Sequence, residues 1–372
     1  MRDPARHILF VATEYAAGMR PYASAIVHTL WQTGDHVLVV AKDDSVKHDF
    51  DDLPSGSVTW VDYPKARIEK LAFRFCPRRL ISLIEQLVIE QDLRLIYCLT
   101  GELVLAHSMR RLQRLSPLLY TIHDAEGHDS KFEGIGTWFK HKVLIARPQR
   151  LIIKKTHLQI TNSRAQQRLV QERYPYHKVY FAPFPALVTE AIMQGKDTAA
   201  ETAGMDDGYI LFFGNVQLYK GVHLLYEAYM SDPVLRQRGL VIAGSGYIYF
   251  KRLEDEQGVT FINRYVDDGE LRDLFTRAAV VVYPYISATQ SGVTSIASYF
   301  GKPMVVSDEP FFKETCEGCA GVTFFSSGDA EGLAEAIKRS LASPVSTLDL
   351  YQRQYSREVL RDALIDVIER SC

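Results

Sequence analysis

No uninterrupted apolar run in this 372-residue chain is long enough to cross a bilayer. The opening "MRDPARHILFVATEY" lacks the order of a secretory signal, because its apolar stretch is a short strand-like run. A cytoplasmic protein is expected. Cysteine is scarce and irregularly spaced: Cys76, Cys98, Cys316, Cys319 and Cys372 do not suggest a disulfide framework, and free thiols in a reducing compartment are the expectation. "CEGC" (316–319) has the C-x-x-C spacing of zinc and redox sites, yet no second C-x-x-C or histidine pair follows to complete a ligand set, so it is treated as incidental. Charge is also missing where a ligand-binding edge would want it. In "YPYISATQSGVTSIASYFGKPMVV" (283–306) no charged residue precedes Lys302.

What is present is a globular composition, 47% hydrophobic and 24% charged, in a chain too long for one ordinary core. Two domains are expected. The net charge of −2 hides an asymmetry: residues 1–188 hold 26 Lys and Arg against 19 Asp and Glu, a net of +7, which leaves a net of −9 for 189–372. That contrast, and the turn formers of "TEAIMQGKDTAAETAGMDDG" (189–208), place a boundary at 188/189. The domains are taken as 1–188 and 189–355, followed by a C-terminal helix over 356–372 that could pack across the boundary. The positive excess gathers in 65–86, 109–115 and 139–155, where basic residues interleave with Leu, Ile and Phe. Such a surface suits an anionic membrane or a phosphate-bearing acceptor; an ordinary solvated face is the bland alternative. Nucleic acid is not among the expected partners.

Short apolar runs alternate with helical spacing throughout. Strands are predicted at 7–13, 36–42, 58–64, 94–100, 118–124 and 158–163, and again at 209–215, 239–246, 259–265, 279–285, 302–308 and 321–327. Helices are predicted at 21–34, 77–91, 221–230, 267–278 and 294–300. Near-continuous apolar strands joined by helices imply a parallel sheet covered on both faces. The pattern occurs twice, so the fold class is α/β, with two doubly wound Rossmann-like domains facing across a cleft. Ligands of such sheets bind beyond the carboxyl ends of the strands.

Four loops of the second half follow that rule. In "FFGNVQLYKG" (212–221) Lys220 stands just before a helix opening near Gly221, where an ammonium and free N–H groups suit a diphosphate; a merely solvated lysine is the alternative. Gly244 and Gly246 of "IAGSG" would let a ligand or a neighbouring backbone come close. Arg264 and Tyr265 end another strand, where either could cover a nucleotide base, though plain surface exposure explains them as well. In "ISATQSGV" (286–293) the amides of Ser291, Gly292 and Val293 would point into the cleft.

"GNVQLYKG" (214–221), "IAGSG" (242–246) and "IASYFGKPMVVSD" (296–308) together resemble the retaining nucleotide-sugar glycosyltransferases of the GT-B fold, specifically family 4. That family shows a strand followed by G-R-x-x-x-x-K-G, then a G-x-G turn, then E-x7-E-A-x-A-x-G-x-P. Gly214, Lys220, Gly221, Ala297, Gly301 and Pro303 keep the pattern. "PLLYTIHD" (117–124) and "LQITNSRAQQRLVQERYPYHKVYFAPFP" (158–185) resemble its first half. The departures are Asn215 in place of the arginine, and Ala288 and Ile296 in place of the two glutamates. A Gln-Ser-Gly version of the loop would leave Gln290 to contact the nucleoside; the other reading is a lost donor site.

The resemblance implies transfer of a sugar from a nucleotide diphosphate sugar to a hydroxyl of a glycan or lipid-linked acceptor, with retention. Lys220, Asn215, Gly221 and the amides of Ser291, Gly292 and Val293 would hold the diphosphate, and Gly244, Arg264, Tyr265 and Gln290 the nucleoside. His123 and Lys220 would be the catalytic residues, His123 near the transferred sugar and Lys220 on the departing diphosphate, with Gly18, Arg20 and Asp124 toward the acceptor. A packed histidine bonded to a backbone carbonyl competes for His123. "AEGHD" (125–129) adds Glu126, His128 and Asp129, a polar cluster for which a structural or acceptor role is expected rather than a metal. No metal and no cofactor beyond the co-substrate is implied. The setting implied is assembly of a bacterial surface polysaccharide or glycoconjugate, peripherally at the inner face of the cell membrane. A non-catalytic nucleotide or sugar binder partnering an active transferase, a sugar-nucleotide epimerase and a phosphorylase are the alternatives.

Overall fold

The computed structural model describes residues 7–15, 19–42, 49–100, 103–125, 146–254, 256–288 and 291–371. The chain divides into two compact units, Met1–Pro185 with Arg357–Cys372, and Ala186–Ser356. The sequence boundary at 188/189 lies three residues beyond this division, and the C-terminal helix, Arg357–Ser371, belongs to the first unit, where it packs on a helix and a strand.

The first unit contains a seven-stranded sheet: β1 (Ile8–Ala12), β2 (Val37–Lys42), β3 (Val58–Asp62), β4 (Leu95–Cys98), β5 (Leu118–Ile122), β6 (Leu158–Thr161) and β7 (Lys178–Phe181), in the order β3-β2-β1-β4-β5-β6-β7. The second has six: β8 (Tyr209–Phe213), β9 (Leu240–Ala243), β10 (Val259–Ile262), β11 (Ala278–Tyr283), β12 (Met304–Ser307) and β13 (Val322–Phe325), in the order β10-β9-β8-β11-β12-β13. All pairings are parallel. Two Rossmann-like domains are therefore present. The central strands β1, β4 and β5 are buried at every position, as their unbroken apolar sequence requires when helices cover both faces.

Every apolar run read as a strand is one. Strand β7 is additional, and so are the helices α2 (Arg67–Phe75) and α4 (Arg147–Lys155), which join the expected α1 (Met19–Leu30) and α3 (Arg78–Glu90); α5 (Arg164–Arg173) is the helix that the resemblance of 158–185 implied. In the second unit α6 (Val222–Ser231), α7 (Asp268–Arg277) and α8 (Val293–Tyr299) stand where the spacing placed helices. Helix α7 starts with a capping box, in which the Asp267 side chain accepts from the N3 backbone and the Glu270 side chain from the Asp267 N–H.

The strand order fixes where a ligand can go. From β8 the chain moves outward through β9 and β10 and then returns to the other side of β8 at β11. The loops after β8 and β11 consequently leave the sheet in opposite directions and open a crevice at its carboxyl edge. In the first sheet the same reversal falls between β1 and β4.

Candidate functional site

The loops after β8 and β11 are held together at this crevice. The N–H groups of Ile286 and Ser287 both donate to the Tyr219 carbonyl, at 2.8 and 3.3 Å. Gly221 has φ +63°, and a Cβ there would lie 1.8 Å from the Pro284 carbonyl oxygen. Only glycine permits this approach, because the left-handed backbone and the contact both exclude a side chain.

Closing the loops in this way delivers Lys220 to Tyr285. Its Nζ donates to the Tyr285 hydroxyl at 2.8 Å and lies 4.7 Å from the centre of that ring and 5.7 Å from that of Tyr219. No carboxylate pairs with it among the described residues. Burial works against the ammonium, the two phenols favour it, and the balance leaves its pKa above the ordinary lysine value. It therefore stays charged at neutral pH. Cations over aromatic faces are stabilised by the ring quadrupole without being neutralised, so the charge remains available to an anion.

Tyr285 extends the connection, its hydroxyl lying 3.3 Å from Ser291 Oγ. Beyond it, Thr294 Oγ1 donates to the Ser291 carbonyl at 2.9 Å, Ser295 Oγ donates to the Gly292 carbonyl at 2.6 Å, and the Tyr283 hydroxyl donates to the Val293 carbonyl at 3.0 Å. These bonds occupy carbonyls and leave the N–H groups of Gly292 and Val293, at the start of α8, without an intrahelical acceptor. Gln290 and Thr289 lie outside the described residues. Of the two positions where the family pattern has glutamate, Ile296 is buried and Ala288 is half-buried.

The glycine pair after β9 has a neighbour inside the fold. A Cβ on Gly244 would meet the Gly214 carbonyl oxygen at 2.2 Å, and one on Gly246 the Val216 carbonyl oxygen at 2.3 Å. The chain continues the ladder past the strand ends here, with Val216 N–H bonded to the Ser245 carbonyl at 3.0 Å. A backbone neighbour thus stands close to both glycines. It brings Gly214 against the Lys220 ammonium, which a Cβ there would approach to 3.3 Å. Asn215 is exposed, and its Oδ1 accepts from Ser245 Oγ at 3.4 Å.

The Arg264 guanidinium is bound on two sides, to Glu270 at 2.8 Å through two nitrogens and to Glu201 at 2.9 and 3.0 Å. It holds both carboxyls below their usual range and braces the capping box of α7. Its charge is spent inside the fold; only its planar face is left for a base. Tyr265 is exposed.

In the first unit His123 follows β5, and its Nε2–H donates to the Leu99 carbonyl at 2.8 Å, which fixes the tautomer because a carbonyl only accepts. The ring stands edge-on to Tyr22 at 4.6 Å. Nδ1 is shielded from solvent and has no partner among the described residues. Burial pushes the imidazole pKa down to about 4, so His123 is neutral at physiological pH and offers an acceptor, not a charge. Gln166 clamps this strand exit, accepting from Ala125 N–H at 2.9 Å and donating to the His123 carbonyl at 3.2 Å. The carbonyl of Asp124 accepts from Gln149 Nε2. Arg20 pairs with Asp49, which also accepts from the Tyr15 hydroxyl at 2.6 Å. Gly18, Glu126, His128 and Asp129 lie outside the described residues. Among the described residues no group of three or more His, Cys, Asp or Glu could hold a metal ion, and Cys319 Sγ lies 3.4 Å from Asp349 Oδ1.

Tyr285 and Tyr219 were missed by sequence reasoning. The signal available was position, one at a strand exit and the other beside Lys220, but a tyrosine in an apolar run reads as core.

Two Rossmann-like parallel-sheet domains are the fold of the GT-B glycosyltransferases. Within it, residues 207–343, less than half of the chain, match the family model described as "Glycosyl transferases group 1". The chain matches no curated protein by sequence. It is similar to the structure of Anabaena HepE in complex with UDP, at 18% identity and a TM-score of 0.68, covering 98% of this chain and 100% of that one. Sucrose-phosphate synthase from Thermosynechococcus elongatus is similar at 17% identity and a TM-score of 0.71, over 98% of both chains. WaaG, a glycosyltransferase involved in lipopolysaccharide biosynthesis, is similar at 14% identity and a TM-score of 0.64, over 97% of this chain and 99% of that one.

Proposed function

We propose that the protein is a glycosyltransferase that moves a sugar from a nucleotide diphosphate sugar to a hydroxyl of a glycan or lipid-linked acceptor. The observation that carries this reading is the Lys220 ammonium, held at the switch point of the second sheet between two tyrosines and paired with no carboxylate among the described residues. A half-buried cation with no counter-ion among the described residues costs free energy, and an arriving diphosphate recovers it. The same charge, with the free N–H groups of Gly292 and Val293, stabilises the diphosphate as it leaves, which is catalysis by charge placed where charge develops. HepE is described in complexes with UDP, UDP and glucose, and UDP-glucose, which supports a nucleotide-sugar donor.

On this reading acceptor recognition falls to the first unit, with His123 as a neutral hydrogen-bonding group rather than a general acid. Retention, a role in surface polysaccharide or glycoconjugate assembly, and a peripheral position at the inner face of the cell membrane belong to the same proposal and rest on the family resemblance. Buried Ile296, in place of a glutamate, favours a second reading, a nucleotide-sugar binder without turnover.

A thermal-shift panel of UDP-, GDP-, dTDP- and ADP-sugars followed by a donor-hydrolysis assay separates the two. Stabilisation with turnover is expected. Stabilisation without turnover selects the binder, and no response to any nucleotide overturns the donor-site assignment.

A further inference from the structure

Helix α2 is oriented the wrong way round for a soluble surface. Ile68, Leu71, Ala72 and Phe75 recur at i, i+3, i+4 and i+7 and so share one face. That face points to solvent: Ile68 is 81% exposed, Leu71 50% and Phe75 46%. The helix is anchored from its other side, where Phe73 packs on the core and meets Tyr63 at 5.3 Å between ring centres. Helix α2 follows β3, the edge strand of the sheet, so no further strand flanks it on that side.

The surrounding charge says what fits there. Residues 65–79 contain six Lys and Arg against the single acid Glu69, a net of +5 in a chain whose total is −2. Lys70, Arg78 and Arg79 are exposed and form no ion pair among the described residues. A second copy of this chain on the same face would set +5 against +5. An anionic surface with an apolar interior satisfies both features together, since apolar side chains enter the acyl boundary while basic ones meet headgroups. No helix among the described residues is long and apolar enough to cross a membrane, so attachment through α2 would be lateral.

We propose that α2 is a membrane-docking helix, seated flat in the interface of an anionic bilayer with Ile68, Leu71 and Phe75 inserted and Lys70, Arg78 and Arg79 on the headgroups. This deepens the membrane placement in the functional reading and does not depend on its chemistry. Neither donor nor acceptor enters the test, so its failure leaves sugar transfer standing and the reverse also holds.

The test is flotation of the full chain with vesicles of phosphatidylcholine alone and of phosphatidylcholine mixed with anionic phosphatidylglycerol. The wild type is expected to float with the anionic vesicles only, and less so at high salt. Leu71→Ser and Phe75→Ser should each weaken partitioning by about tenfold, and Lys70→Gln, Arg78→Gln and Arg79→Gln by about fivefold each. Both sets lie on exposed side chains, and an unchanged thermal melt confirms folding. Should a serine variant fail to fold, the glutamine variants decide alone. Wild type that stays in solution, variants that float as well as wild type, or wild-type dimers dispersed by Leu71→Ser would each overturn the proposal, the last by assigning the face to a second copy.

Discussion

Replacing Lys220 by methionine separates a lysine kept for a ligand from one kept for the fold. The two side chains are similar in length and both fill the space beside Tyr219 and Tyr285, so packing is largely conserved. The variant loses one hydrogen bond to the Tyr285 hydroxyl, a net cost of about 1 kcal/mol, and it is relieved of holding a half-buried ammonium that no carboxylate pairs among the described residues. These effects oppose each other, and the melting temperature of a unit of this size should move by no more than about 4 °C. Nucleotide affinity should behave differently. An ammonium 4 Å from a phosphate oxygen contributes a Coulomb energy of about 4 kcal/mol at an effective dielectric of about 20. After desolvation the net value of a hydrogen bond to a charged group is about 1.5–3 kcal/mol. Dissociation constants for the best-binding nucleoside diphosphate should rise by roughly 10- to 150-fold. Isothermal titration calorimetry measures the affinity and scanning calorimetry the stability of the same samples. A large loss of melting temperature with unchanged affinity would refute the assignment, because it would make Lys220 a structural cation.

Two other perturbations test the framework around it. Gly221→Ala combines a left-handed backbone, φ +63°, with a Cβ 1.8 Å from the Pro284 carbonyl oxygen; strain and displacement together should cost about 2–5 kcal/mol. In calorimetry Gly56→Ala, with φ +83° and open space around it, should lose visibly less, and equal losses would show that the loop contact is not the cause. His36 is buried, with Nδ1 accepting from Ile8 N–H at 3.2 Å and Nε2 donating to the Leu30 carbonyl at 3.1 Å. Burial lowers its pKa to about 4. The folded value lies below the unfolded one of about 6.5, so the unfolded chain binds the proton first. Stability is complete above pH ~6.5 and is lost as pH falls toward ~4, by about 3 kcal/mol for this group. Urea unfolding at pH 7.5 and pH 5 should show the loss, His36→Gln should reduce it by about half, because buried His123, with a pKa also near 4, contributes alike, and an unchanged acid slope in that variant would sink the explanation.

How much of this was open to a reader of the sequence differed by element. The sheets were, because strands buried on both faces must be apolar throughout, and runs such as Ile8–Ala12 and Leu95–Cys98 have no other use for that composition. Strand β7 was not, since "KVYF" is four residues long, begins with an exposed lysine and sits at a sheet edge where periodicity is weakest. Helix α2 escaped for another reason: its apolar face is real but points outward, so a period that normally locates a core located a surface.

At the site the division follows chemistry that is local against chemistry that is not. The residues Gly214, Lys220, Gly221 and the paired glycines are legible because each answers a constraint within a few residues, a strand exit or a turn that tolerates no side chain. What holds them in place is not. Lys220 and Tyr285 are separated by 65 positions and meet only because β11 returns beside β8. The partners of Arg264 are likewise distant in one case and local in the other: Glu270 was within sight of the sequence, whereas Glu201, 63 positions away, was not. By itself the sequence determined two parallel sheets, their strand exits and a lysine suited to an anion. Tertiary structure alone decided that this lysine has tyrosines rather than carboxylates for company, because charge compensation depends on which loops the strand order makes neighbours.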